Sequence, residues 1–144
     1  MTLPDVNVLI ALFDPVHPNH DDAHAWFGRA RRLGWATCPV TINGCVRVLS
    51  NPSYPTVDAR PAEVISKLQL LCGNEFHEFW PDAISLLDRQ LFKPDFITGH
   101  QKITDAYLLA LAFKRRAKLA TFDRSIPVRA VQGATSDNLE LLGS

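Results

Sequence analysis

Residues 104–124 read TDAYLLALAFKRRAKLATFDR, and the fold is decided in this stretch. Ala106, Leu109, Ala110 and Phe113 recur at helical spacing as part of a broad apolar face. That spacing predicts a helix over 103–117 with Thr104 as its cap. Leu119 to Phe122 then reads as a strand that runs into Asp123. A carboxylate, Asp105, therefore opens the helix, and another closes the strand that follows it.

The N-terminus repeats the theme in reverse order. Thr2 to Pro4 reads as a very short strand, Asp5 stands at the turn, and Val6 to Phe13 is an apolar helix. Between the two ends the chain alternates. Asn19 to Leu33 carries Ala23, Trp26, Phe27 and Ala30 at helical spacing, and Gly34 is a natural stop. Trp35 to Val40 is the next strand candidate, and Thr41 to Leu49 is a helix with Ile42, Cys45, Val46 and Leu49 on one side, ended by the NPSYP run from Asn51. Pro61 opens a helix over Ala62 to Cys72 with a stripe of Val64, Ile65, Leu68, Leu71 and Cys72. Phe76 to Trp80 alternates like a strand, a short helix is expected near Ala83 to Leu91, a loop holds Pro94 and Gly99, and Val128 to Val131 is the candidate for the last strand. Strands alternating with helices predict an α/β fold around a mainly parallel sheet.

At 144 residues and 47% hydrophobic content the chain can bury one core, and no linker, repeat or low-complexity stretch divides it, so residues 1–144 are expected to form a single domain. The formal net charge is zero, which argues against a protein that grips long nucleic acid by bulk electrostatics. The basic residues are nevertheless clustered, in Arg29, Arg31, Arg32 and Arg47 and again in Lys114, Arg115, Arg116 and Lys118. Solvated helix ends explain such clusters as well as an RNA-contacting surface does. Asp5 interrupts the apolar start, with no basic leader or cleavage site, and no window nears the roughly 18 apolar residues of a membrane span, so neither a signal peptide nor a membrane protein is expected. Cys38, Cys45 and Cys72 are odd in number and lack CxxC spacing, which fits a reducing cytoplasm.

In open α/β sheets the ligand site lies beyond the carboxyl ends of the strands, where the strand order reverses. Asp5, Asp105 and Asp123 are all placed to meet there. Each alone could be an ordinary helix cap or first-turn charge, but three caps need not converge. Three converging carboxylates repel, and the ordinary compensation is a hard divalent cation, Mg²⁺ or Mn²⁺, which takes oxygen ligands and is often shared with phosphate.

Asp5-Val6-Asn7 at the N-terminus, Thr104-Asp105-Ala106 opening a late helix, and Leu119-Ala120-Thr121-Phe122-Asp123 closing a strand resemble the PIN domain, and specifically VapC-type toxins of bacterial toxin–antitoxin systems. The resemblance spans Thr2 to about Val131, and its most specific piece is the segment ending in Asp123-Arg124. It implies a three-layer α/β/α sandwich, Mg²⁺- or Mn²⁺-dependent endoribonuclease activity on RNA, with tRNA or rRNA as candidates, a homodimer, and inhibition by a VapB antitoxin. Asp5, Asp105 and Asp123 would then be both the metal ligands and the catalytic residues, with Asp5 orienting or deprotonating the attacking water. PIN domains commonly carry an acid in the helix after the second strand, where this chain has Asn43, as do some VapC relatives; a neutral amide there weakens the ligand set. Asn43 is kept as an accessory ligand or water-holder, and Asn7 and Thr121 as further accessory positions. His100 lies close enough in sequence to Asp105 to contact a phosphate or act as an acid, and Arg124 could bind the scissile phosphate; a loop hydrogen bond for His100 and an ion pair for Arg124 are the plain alternatives.

His20 and His24 could share a helix face near His17, as zinc ligands do, but no fourth ligand or metallopeptidase motif accompanies them. No Gly-rich phosphate loop or GxSxG is present. Two other functions compete with a nuclease. A receiver-like Mg²⁺ module would want paired acids near the first strand and a late Lys, which this spacing does not supply, and a PIN-like scaffold that binds a partner without catalysis finds its support in Asn43.

Overall fold

The computed structural model describes residues 1–143. Five parallel strands form one sheet in the order β3-β2-β1-β4-β5. They are β1 (Thr2–Pro4), β2 (Trp35–Thr37), β3 (His77–Phe79), β4 (Lys118–Thr121) and β5 (Leu139–Leu141). The helices are α1 (Val6–Phe13), α2 (His20–Leu33), α3 (Pro39–Leu49), α4 (Pro61–Cys72) and α5 (Ile103–Lys114).

Strand alternation explains why the sheet is covered on both faces. Leu3, Ala36 and Leu119 point into a core built with α5 and the 126–131 segment, whereas Trp35 and Ala120 point into a second core filled by α1, α2, α3 and α4. The expected three-layer α/β/α sandwich is therefore observed. The chain winds outward from β1 through β2 to β3 over one face, then returns across the other face through α5 to β4. Strand order reverses between β1 and β4, so the crevice between their carboxyl ends is the place a ligand site is expected.

Local chemistry accounts for where the elements begin and end, and for where the sequence misled. Strand β2 stops at Thr37, three residues short of the expected Val40, because Pro39 starts α3 and the Thr41 hydroxyl accepts the Cys38 N–H at 3.1 Å. Thr104 caps nothing. A short 3₁₀ turn, His100–Lys102, leads directly into α5, and Asp105 falls in its first turn. The helix ends at Lys114 rather than 117, since Arg116 turns to φ 56° and Ala117 N–H bonds back to Ala112 O at 2.9 Å. No helix forms at Ala83–Leu91. Ser85 Oγ takes the Leu87 N–H and Asp88 Oδ1 takes the Gln90 N–H, so side chains compete for the backbone, and Leu87 is left 88% exposed. The expected strand at Val128–Val131 is a 3₁₀ turn over Val128–Ala130, followed by one antiparallel bridge from Val131 to Phe92. The last strand is instead β5, paired with β4.

Among the described residues no helix is long and apolar enough to cross a membrane. Asp14, at the end of α1, is fully buried and accepts hydrogen bonds from Tyr54 Oη at 2.6 Å, Thr56 Oγ1 at 2.5 Å and Val16 N at 3.0 Å, which ties the loop after α3 to α1.

Helix α3 lies hard against the start of α1 at Gly44, where a Cβ would sit 2.8 Å from Val6 Cγ2. Gly44→Ala is expected to cost about 1–2 kcal/mol in denaturant melts through overpacking. In a Val6→Ala background the same change should be neutral or stabilising, since Ala is preferred to Gly inside a helix by about 0.5–1 kcal/mol. Additive effects of the two substitutions would show that the close approach does not fix the α1–α3 spacing.

Candidate active site

Parallel pairing brings the two ends of the site together. Pro4 stands opposite Ala120, and Asp5 N–H extends the ladder by one bond to Ala120 O at 2.8 Å. Asp5 is then both the last step of β1 and the cap of α1, with its Oδ1 accepting the Val6 N–H at 2.7 Å. Its Oδ2 accepts the hydroxyl of Thr121, the final residue of β4, at 2.8 Å. That same hydroxyl oxygen accepts the Asp123 N–H at 3.0 Å and the Asn7 amide N–H at 3.4 Å, while Asn7 Oδ1 accepts the Phe122 N–H at 3.5 Å. Asp5, Asn7, Thr121 and Asp123 therefore form one connected network across the switch point.

Asp105 approaches from the first turn of α5, near enough to Asp5 and Asp123 to feel the charge of both. Its pKa is pushed up to about 6, first by burial and then by the negative charges of Asp5 and Asp123. Asp5 is raised as well, chiefly by burial, with the Thr121 hydroxyl and Val6 N–H opposing and Asp123 adding to the rise. Asp123 is lowered instead, because the hydroxyl and N–H of Ser125 both donate to its Oδ1, at 2.7 and 2.8 Å. All three expected carboxylates are thus mutually coupled.

Lys102 and Ser125 belong to this site and were not read from the sequence. Lys102 Nζ donates to Ser125 O at 3.0 Å and to Ser125 Oγ at 2.5 Å, and its charge lowers the pKa of both Asp105 and Asp123. Ser125 was legible in principle, since an Asp two residues before a Ser favours an Asx turn. Lys102 had only its position three residues before Asp105. Asn43 is exposed on α3, beside the Gly44 that touches Val6, and makes no side-chain hydrogen bond among the described residues. His100 and Arg124 are exposed, and neither forms an ion pair among the described residues. His20 bonds Ala11 O at 2.7 Å and packs edge-on against His24 at 4.4 Å, which accounts for that histidine pair without a metal.

The PIN domain matches residues 2–131. The chain belongs to the PIN-domain family. It is of the VapC type: it is 42% identical over 143 residues to Ribonuclease VapC44 of Mycobacterium tuberculosis, covering 97% of this chain and 98% of that one. Ribonuclease VapC39 of the same organism is 40% identical over 131 residues, covering 91% and 94% of the two chains, and Ribonuclease VapC38 is 39% identical over 137 residues, covering 92% of each.

The donor set suits a hard cation, being made of carboxylate, amide and hydroxyl oxygens with no thiolate or imidazole bonded into it. Among the described residues, no three His, Cys, Asp or Glu side chains lie close enough to grip one ion between them. A cation that keeps several waters and touches only one or two carboxylates directly fits that arrangement.

The raised Asp105 has a measurable consequence in metal-free buffer. Between pH 3.8, its ordinary value, and about 6, the folded protein holds a proton that the unfolded chain has released, so stability should fall as pH rises through this window. Asp5 acts in the same direction, whereas the lowered Asp14 and Asp123 act below it. Asp105→Asn should flatten that limb and gain about 1 kcal/mol at pH 7, a figure reduced for solvent screening of a half-buried group. Urea melts of both proteins in EDTA across pH 4–7 measure it, and parallel pH profiles would show that the charges are not coupled.

Proposed function

We propose that the chain is a Mg²⁺- or Mn²⁺-dependent endoribonuclease, the toxin of a type II toxin–antitoxin pair, with residues 1–144 working as one PIN unit. One observation carries this reading: three mutually coupled carboxylates at the sheet's switch point, two of them held above their ordinary pKa. The names of the relatives, all ribonucleases, support RNA as the substrate. Cytoplasmic location, a homodimer, a VapB-type antitoxin and tRNA or rRNA as the target complete the proposal and rest on the family resemblance.

The reaction is hydrolysis of a phosphodiester. Water attacks phosphorus, the bond to the 3′ oxygen breaks, and the products carry a 5′-phosphate and a 3′-hydroxyl. A bound Mg²⁺ or Mn²⁺ would polarise the phosphate and lower the pKa of the attacking water. Asp5, Asp105 and Asp123 would hold it, directly or through waters. Asp5 has both oxygens engaged by Val6 and Thr121 and serves as the fixed anchor. Asp105, which no backbone N–H engages, would share the cation and orient the water bound to it. Asn7 and Thr121 hold the anchor in place; the exposed Asn43 would supply a further oxygen from α3, and the exposed Arg124 and His100 would meet a phosphate. The same exposed Asn43 and open carboxylate spacing are what favour a partner-binding scaffold as the second reading.

Cleavage of RNA should require Mg²⁺ or Mn²⁺ and stop in excess EDTA. Asp5→Asn and Asp105→Asn should each cost orders of magnitude in rate. Asn43→Glu adds a carboxylate, so half-maximal activity should need less Mn²⁺. Wild-type cleavage by Asp105→Asn, together with an unmoved Mn²⁺ titration for Asn43→Glu, would transfer the weight to the scaffold.

A further inference from the structure

Beyond the Asp123 turn the surface opens into a cleft of about 360 Å³, within the usual range for a small-ligand site. It shares Lys102 and Ser125 with the carboxylate centre, and its lining includes Phe96 and Arg129 but no acid. We propose that this cleft is the subsite for a nucleotide flanking the scissile phosphate of single-stranded RNA, with Arg129 as its recognition residue. The inference rests on the ribonuclease reading and deepens it.

The cleft is built rather than incidental. Phe96 ends a 3₁₀ turn over Pro94–Phe96, and Arg129 lies in the turn over Val128–Ala130. Two backbone bonds clamp the segments that carry them, Lys93 N–H to Ala130 O at 2.8 Å and Gln132 N–H to Leu91 O at 2.8 Å, flanking the bridge between Phe92 and Val131. Phe92 and Val131 are buried in the core, so the clamp is anchored from below. The clamp sets the Arg129 guanidinium over the Phe96 ring at 4.5 Å from its centroid. A cation–π contact of this kind holds the planar group by one face and leaves the other free. An unpaired base can stack on such a plane, as bases do on arginine and aromatic side chains in RNA recognition.

Charge supports the same occupant. The chain is neutral overall, yet here Lys102 and Arg129 face a space without acids, immediately beside three coupled carboxylates. A negative pocket repels RNA until a cation fills it, and a neighbouring positive cleft offers the polyanion a place to settle against that repulsion. Lys102 spans the two, bonded to Ser125, which in turn bonds Asp123. A phosphate held by Lys102 and Arg129 would set the register of the next phosphate along the strand. Phe96 is then a positioning residue, acting through Arg129.

The test uses a short fluorescein-labelled single-stranded oligoribonucleotide of mixed sequence, with cleavage followed in Mn²⁺ and binding followed by anisotropy in EDTA. Arg129→Ala should lower kcat/KM about tenfold, mainly through KM, and reduce the slope of log affinity against log salt by about one. Arg129→Lys should restore the salt slope but not the KM, and Phe96→Leu should raise KM several-fold with the salt slope unchanged. Lys67→Ala, a charge removed from the exposed face of α4, should change neither. Both Phe96 and Arg129 are exposed, so the variants should melt as wild type does. Cleavage and binding unaffected by Arg129→Ala and Phe96→Leu, or affected equally by Lys67→Ala, would overturn the subsite alone. Arg129-dependent binding without any wild-type cleavage would keep the subsite and overturn the nuclease, and a wild type that neither binds nor cleaves would remove both.

Discussion

The Thr121 hydroxyl is the smallest part of the site and the one that the others depend on. It is fully buried at the end of β4, donates to Asp5 and accepts from Asp123 N–H and the Asn7 amide. One oxygen thereby joins the carboxyl ends of the two central strands at the point where the sheet reverses its winding. The parallel ladder sets the strands' register, but a ladder ends with the strand. Beyond it, this hydroxyl is the direct tie between Asp5 and the 122–123 turn, with the longer Phe122 N–H to Asn7 Oδ1 bond beside it. Holding carboxylates together needs such fixed donors, because their mutual repulsion otherwise opens the site.

The chain holds two buried aspartates, and their opposite treatment separates structure from chemistry. Burial would raise Asp14, but the hydroxyls of Thr56 and Tyr54, then Val16 N–H and His17, outweigh it and hold the group below its ordinary value. Its charge is fully answered, and it fastens a loop. Asp5 receives a single hydroxyl and a single N–H, and burial with Asp123 keeps it raised. Asp105 is raised to about 6 by burial and by the charges of Asp5 and Asp123, with Lys102 opposing and no backbone donor to help it. An unanswered charge at a strand end, beside another, is what a functional site looks like before its ligand arrives.

Much of this was legible in the residues because it rests on short-range rules. Asp5 ahead of the apolar helix, Asp105 at the head of a late helix and Asp123 after LATF could be placed from periodicity and turn chemistry, and the sheet topology makes them converge. What escaped depends on contacts between distant segments. Strand β5 is three residues of an edge, with little pattern of its own, and exists because β4 offers it a partner. Val128–Val131 has the composition of a strand, yet Pro127 precedes it and its one bridge goes to Phe92, which no local rule could supply. The segment 83–91 has helical spacing and sends Ile84 and Leu91 to the core, but Ser85 and Asp88 take its backbone N–H groups and no helix forms. Lys102 looked like any helix-start lysine; its role follows from Ser125, 23 residues later.

These long-range pieces also explain how a chain of zero net charge can approach a polyanion through an acidic pocket. The pocket's negative potential falls off over about a Debye length, roughly 8–10 Å in physiological salt. Within that distance Lys102 is tied to Ser125 and so to Asp123, which fixes a positive charge at the pocket's edge instead of leaving it on a free side chain. A mobile lysine would fold onto the nearest carboxylate and neutralise it. Held by Ser125 O and Oγ, Lys102 lowers the pKa of Asp105 and Asp123 without forming an ion pair with either. The acids remain free to meet a cation, and the lysine remains free on its far side to meet a phosphate. Separation of the two signs of charge by one serine is therefore a requirement of the site, and it is met by a residue that contributes no charge at all.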